Sequence, residues 1–156
     1  MRIVGFFCED IRRERANTDS IVGILPDNMS ISSTPAIIPK LAIYVRAHID
    51  VNEPPHPIEM TLDTPWGETR LLKGAESSLV EQSQKSARDN NLPFGGIIMR
   101  ALLVPFEVRA HGLVRVVATV AGAENTCALL NLRPSPASPG SSSAPAANQP
   151  SGPPAT

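Results

Sequence analysis

Apolar and polar residues alternate with a period of two along most of this chain, broken at intervals by proline, glycine and asparagine. That pattern predicts β-strands. The cleanest stretch is Lys40 to Asp50, where Leu41, Ile43, Val45, Ala47 and Ile49 alternate with Ala42, Tyr44, Arg46, His48 and Asp50. A first strand is expected over Arg2 to Cys8, followed by a charged link from Glu9 to Asp19 and a second strand from Ser20 to Leu25. Asn28 to Ser32 reads as a short edge strand, and Thr34-Pro35 and Ile38-Pro39 impose extended backbone. A hairpin is predicted from Ile58 to Asp63 and Glu68 to Leu72, turned through Thr64-Pro65-Trp66-Gly67. Glu76 to Asp89 lacks glycine and proline and reads as a short helix or a long loop with a thin apolar stripe. Strands return over Gly96 to Ala110, interrupted at Pro105, then Leu113 to Val120, then Asn125 to Leu132.

About seven or eight strands and at most one short helix predict an all-β fold, an antiparallel β-sandwich of immunoglobulin-like or related type. No strand–helix–strand alternation calls for a parallel sheet. The domain is expected to span residues 1–133. Seven of the chain's 16 prolines fall in 134–156, a Pro/Ser/Ala-rich stretch without charged side chains that predicts a disordered tail.

Charge then narrows the function classes. The 156 residues carry 14 Lys+Arg against 15 Asp+Glu, a net charge of -1. Neither nucleic acid nor an acidic membrane surface is an expected partner, because a general electrostatic grip on either needs a basic excess. No apolar run approaches the roughly 18 residues of a spanning helix. The opening Met1 to Asp10 has too short an apolar patch for a signal peptide and runs into acid, so a cytoplasmic protein is expected. Cys8 and Cys127 are then expected as two buried free thiols, with no C-x-x-C pair for zinc or redox chemistry.

Several short strings resemble a family of small bacterial proteins known only as a domain of unknown function. They are Phe7-Cys8-Glu9-Asp10-Ile11-Arg12, Ser20-Ile21-Val22-Gly23-Ile24 and Ile38-Pro39-Lys40-Leu41-Ala42-Ile43 near the start. Later come Leu92-Pro93-Phe94, Pro105-Phe106-Glu107-Val108 and Gly112-Leu113-Val114-Arg115-Val116. The resemblance covers about half of the chain. It implies the sandwich fold and brings no activity, substrate or catalytic residue.

No catalytic constellation emerges. His48, Asp50 and His56 offer metal-ligand chemistry, but a proline-rich bend separates His56, and a site needs donors about 2.0–2.2 Å from one ion. Cys8 has Glu9 and Asp10 beside it, which hinders thiolate formation. Gly95-Gly96 lacks the Lys-Ser/Thr of a phosphate loop, so no catalytic residue, metal or cofactor is assigned.

Three features point to binding instead. Tyr44 and Arg46 share the polar face of one strand, suited to an anion or a partner protein. Trp66 sits at a hairpin tip, where it can serve as a contact anchor or fold back onto the core. Arg133 to Pro139 fits an R-x-x-P-x-x-P string of the kind read as polyproline. The expectation is a non-catalytic interaction module acting through self-association or a partner protein. The alternative is a small anionic ligand or nucleotide, sequestered at an oligomer interface lined by Tyr44, Arg46, Arg12, Arg13 and Arg15, with a hydrolase or metal enzyme a distant third.

Overall fold

The computed structural model describes residues 1–136. The expected proline-rich tail, from residue 137 on, and the end of the R-x-x-P-x-x-P string lie outside the described residues. The elements in chain order are β1 (Arg2–Arg13), β2 (Asp19–Ile24), β3 (Asn28–Ile31), β4 (Ala36–Ile38), β5 (Leu41–Asp50), β6 (Ile58–Asp63) and β7 (Thr69–Ala75). Then come α1 (Ser77–Asp89), β8 (Phe94–Leu103), β9 (Phe106–Val108), β10 (Gly112–Val120) and β11 (Ala123–Pro134). No helix among the described residues is long and apolar enough to cross a membrane.

The fold is an all-β sandwich. One sheet runs β2-β1-β5-β8, the other runs β3-β11-β10-β6-β7, and β4 and β9 form a small two-stranded sheet. Among the described residues eleven strands exceed the expected seven or eight. β3 falls where a short edge strand is expected and β9 is the part of Gly96 to Ala110 cut off at Pro105, whereas the three-residue β4 is too short to show alternation. One pairing also departs from the antiparallel expectation: β3 joins β11 in parallel, from Asn28 opposite Asn131 to Ile31 opposite Pro134.

Alternation places the core. Leu41, Ile43, Val45, Ala47 and Ile49 of β5 are fully buried, with Ile3 and Phe7 of β1 beside them. They meet Met60 and Leu62 of β6, Val114 and Val116 of β10, and Leu130 and Leu132 of β11 in one apolar cluster. Burial of such side chains contributes on the order of 1.5–3 kcal/mol each, enough to make the sandwich the dominant local choice.

The expected charged link is a structural arm. β1 leaves β5 after Cys8 and continues to Arg13 paired with β2, closed by a short 3₁₀ turn at Arg15–Asn17. Charged residues there predict a loop by composition, yet a hairpin supplies its own backbone pairing and tolerates polar side chains on both faces.

The Glu76 to Asp89 stretch is helical. Val80, Gln84 and Ala87 face inward at helical spacing, whereas Leu79 stays exposed. Gln84 explains why so thin an apolar stripe suffices. Its buried amide donates to the backbone oxygens of Asp50 (2.8 Å) and Glu53 (2.7 Å), and Arg88 donates to Val51 O at 2.7 Å. The helix is thereby fastened to the turn after β5.

Candidate functional site

The outer face of the four-stranded sheet carries Tyr44 and Arg46, two of the residues singled out from sequence. Register sets three rows across β1, β5 and β8: Val4–Arg46–Ile98, Phe6–Tyr44–Arg100 and Cys8–Ala42–Leu102. Tyr44 is half-buried and stacks on Phe6, with ring centroids 5.3 Å apart and planes inclined by 19°. Arg46 is exposed and makes no hydrogen bond or ion pair among the described residues. Apolar side chains flank it, since Val4 and Ile98 are 43% and 40% exposed, and Leu102 reaches 55%.

The β1–β2 arm returns to this face. Arg100 Nε donates to Asp19 Oδ2 at 2.8 Å, and its Nη2 meets the same oxygen, tying the end of the arm to β8. The Asp19 side chain is almost wholly buried, and its Oδ1 has no hydrogen-bond partner among the described residues. Nearer the root of the arm, Asp10 pairs with Lys40 and Arg12. The Lys40 ammonium holds the Asp10 carboxyl below its ordinary range, with Arg12 adding to the effect. Cys8 and Ala42 carry the consequence. Both lie on the outward side of the sheet and outside the main core cluster, yet neither is accessible to solvent.

The six residues expected to bind are therefore only partly brought together. Tyr44 and Arg46 share the open face. Arg12 and Arg15 lie exposed on the arm, and Arg13 stands opposite Asp19 in register, so the link between the two groups runs through Asp19 and Arg100. Trp66 is elsewhere. It folds back from its turn onto Phe106, 5.9 Å between centroids, and its indole N–H donates to Glu68 Oε2 at 3.2 Å. Arg70, together with that indole N–H, lowers the pKa of Glu68. The small depression there, about 210 Å³, is walled by paired charges.

β8 forms one edge of the sheet, and α1 lies against its first half. A Cβ on Gly95 would come within 2.6 Å of Ser83 Oγ and 2.9 Å of Ser83 backbone, so only glycine permits this approach. Ser83 Oγ also donates to Gly96 O at 3.2 Å. A groove of about 460 Å³ opens between helix and strand, lined by Leu79, Phe94, Gly96 and Ile98 among others. In sequence, Gly95-Gly96 lacks the Lys-Ser/Thr of a phosphate loop. Its signal was the pair of glycines directly before an alternating strand, where close approach is the commoner meaning.

Histidine and cysteine chemistry stays dispersed. His48 and Asp50 border a depression of about 380 Å³ with Met1, Arg2, Glu53 and Phe94, where the Met1 ammonium donates to both Glu53 oxygens (2.6 and 2.8 Å). His56 does not line it. Among the described residues no group of three or more His, Cys, Asp and Glu side chains could hold a metal ion. Cys8 and Cys127 are free and buried. Burial pushes both thiols up, Cys127 to about 11, with Asp10 adding to the effect at Cys8, so neither resembles an activated nucleophile.

No protein-family model, no curated protein and no solved structure matches this chain.

Proposed function

We propose that this chain is a non-catalytic β-sandwich that works by binding protein, either a second copy of itself or a partner, through the outer face and edge of its four-stranded sheet. One observation carries the reading. Val4, Ile24, Ile98 and Leu102 stand 40–64% exposed around the Phe6–Tyr44 stack and an unpaired Arg46. Apolar groups interleaved with an aromatic and an arginine are the composition of a contact surface. Free buried thiols at Cys8 and Cys127 fit a reducing compartment, which supports a cytoplasmic location.

Light scattering after size exclusion tests the self-association arm. Affinity capture with the wild-type chain, against a Tyr44→Ala/Arg46→Glu variant, tests the partner arm. A monomer whose captured proteins are the same for both forms would remove this face from consideration.

Arg46 supports a second reading, in which a small anion such as a nucleotide sits on the same face. Native mass spectrometry under saturating nucleotide distinguishes it. The internal pairing of Arg12 with Asp10, and of Arg100 with Asp19, weakens that reading, because both guanidiniums are already occupied.

A further inference from the structure

We infer that the free edge of β8 pairs antiparallel with β8 of a second copy about a two-fold axis through Arg100, merging two four-stranded sheets into one. This rests on the protein-binding reading above and names its occupant.

The backbone fixes which groups are free. Val51 N–H donates to Pro93 O at 3.3 Å, continuing the ladder with β5, in which Asp50 stands opposite Phe94. Hydrogen-bonded and non-bonded pairs alternate in such a ladder, so odd-numbered β8 residues bond to β5 and even-numbered ones point their N–H and C=O away. Gly96 O faces outward accordingly, and Ser83 takes it. Beyond the helix, Ile98, Arg100 and Leu102 present outward backbone groups that meet no backbone partner among the described residues.

These three residues are complementary to themselves. A two-fold axis at Arg100 sets Ile98 opposite Leu102 of the second copy, Arg100 opposite its equivalent, and Leu102 opposite Ile98. All three are then hydrogen-bonded pairs, giving about six backbone hydrogen bonds. Apolar Ile98 and Leu102, both exposed, meet across the seam.

Charge is the expected obstacle, because two arginines face each other at the axis. Asp19 removes it by drawing each guanidinium inward over its own sheet. Val104, 60% exposed just past the strand, falls opposite Gly96 of the second copy in this register. Gly96 leaves that part of the α1–β8 groove open: a Cβ there would meet nothing within 4 Å. Of the other sandwich edges, β3 has only four residues, and β7 and β2 are less suitable. β7 carries Arg70 and Lys73, which blunt strand pairing, and β2 is interrupted at Gly23, whose φ is +62°. A seam of three strand pairs is short, so association is expected to be concentration-dependent.

Solution mass across micromolar to submillimolar concentration is the test, on the full chain. The wild type is expected to approach twice 16.6 kDa. Ile98→Lys/Leu102→Lys should stay folded and remain monomeric, its dissociation constant raised at least tenfold. Leu129→Lys, a comparably exposed site on the other sheet, should dimerise like the wild type. An Ile98→Cys/Leu102→Cys variant should cross-link between copies through a short bifunctional thiol reagent, because hydrogen-bonded pairs set facing Cα atoms about 5.5 Å apart, too wide at Cβ for a direct disulfide but within reach of a short spacer. Neither single cysteine variant should do so. A dimer that survives the lysines, or that fails to cross-link, overturns the β8 seam and leaves self-association standing elsewhere. A wild type monomeric at every concentration overturns both the seam and the self-association arm, leaving the partner arm to affinity capture.

Discussion

Gln84 shows how one polar side chain can decide whether a weak helix forms. It is buried and satisfies two backbone carbonyls of the turn after β5. Gln84→Leu keeps the volume and abandons both acceptors, and is expected to cost about 2–3 kcal/mol in urea denaturation. Cys127 sets a pH signature. Its thiol is pushed by burial from 9.0 to about 11 in the folded chain, so above pH 9 the unfolded state loses its proton first. The thiol's contribution to stability is full below pH 9 and is lost as pH rises towards 11. A fall in urea midpoint over that window, flattened in Cys127→Ala, checks it. Asp19 acts on the arm. Asp19→Ala should speed hydrogen exchange in β2, leave β10 protected, and open Cys8 to thiol reagents. Unchanged Cys8 labelling would mean that other contacts hold the arm closed.

At the scale of elements, two adjacent glycines should respond oppositely. Gly95→Ala drives a Cβ into Ser83 and is expected to cost about 1–3 kcal/mol by lifting α1 from β8. Gly96→Ala meets open space and should leave the denaturation midpoint within about 0.5 kcal/mol of wild type. β5 and β10 were legible from sequence because each buries one face, which writes a period-two pattern into the residues. The extension of β1 from Glu9 to Arg13 was not, since a stretch with no buried face records no alternation and its charges read as loop. The site was half legible. Tyr44 and Arg46 sit on the open face as their parity demands, but Asp19 and Arg100 are 81 positions apart, and no local pattern joins them. The turn alone leaves Trp66 free to reach out or to fold back, and Phe106, 40 positions on in the chain, is the neighbour towards which it folds.

At the scale of the whole molecule, sheet closure depends on the end of the described chain. β11 bridges β3 and β10 as far as Pro134, and Ser135 N–H donates to Ile31 O at 3.1 Å. A chain ending after Pro136 keeps every one of these bonds, and its melting temperature should match the full chain within about 1–2 °C. Ending it before β11 should abolish cooperative unfolding. The parallel β3–β11 pairing carries a further consequence for synthesis. All four strands of the β2-β1-β5-β8 sheet have been translated by Leu103, but the opposing sheet lacks its second strand until Pro134 emerges. A ribosome that stalls in between releases a product with one layer assembled and its apolar inner surface bare, a substrate for chaperones or for aggregation.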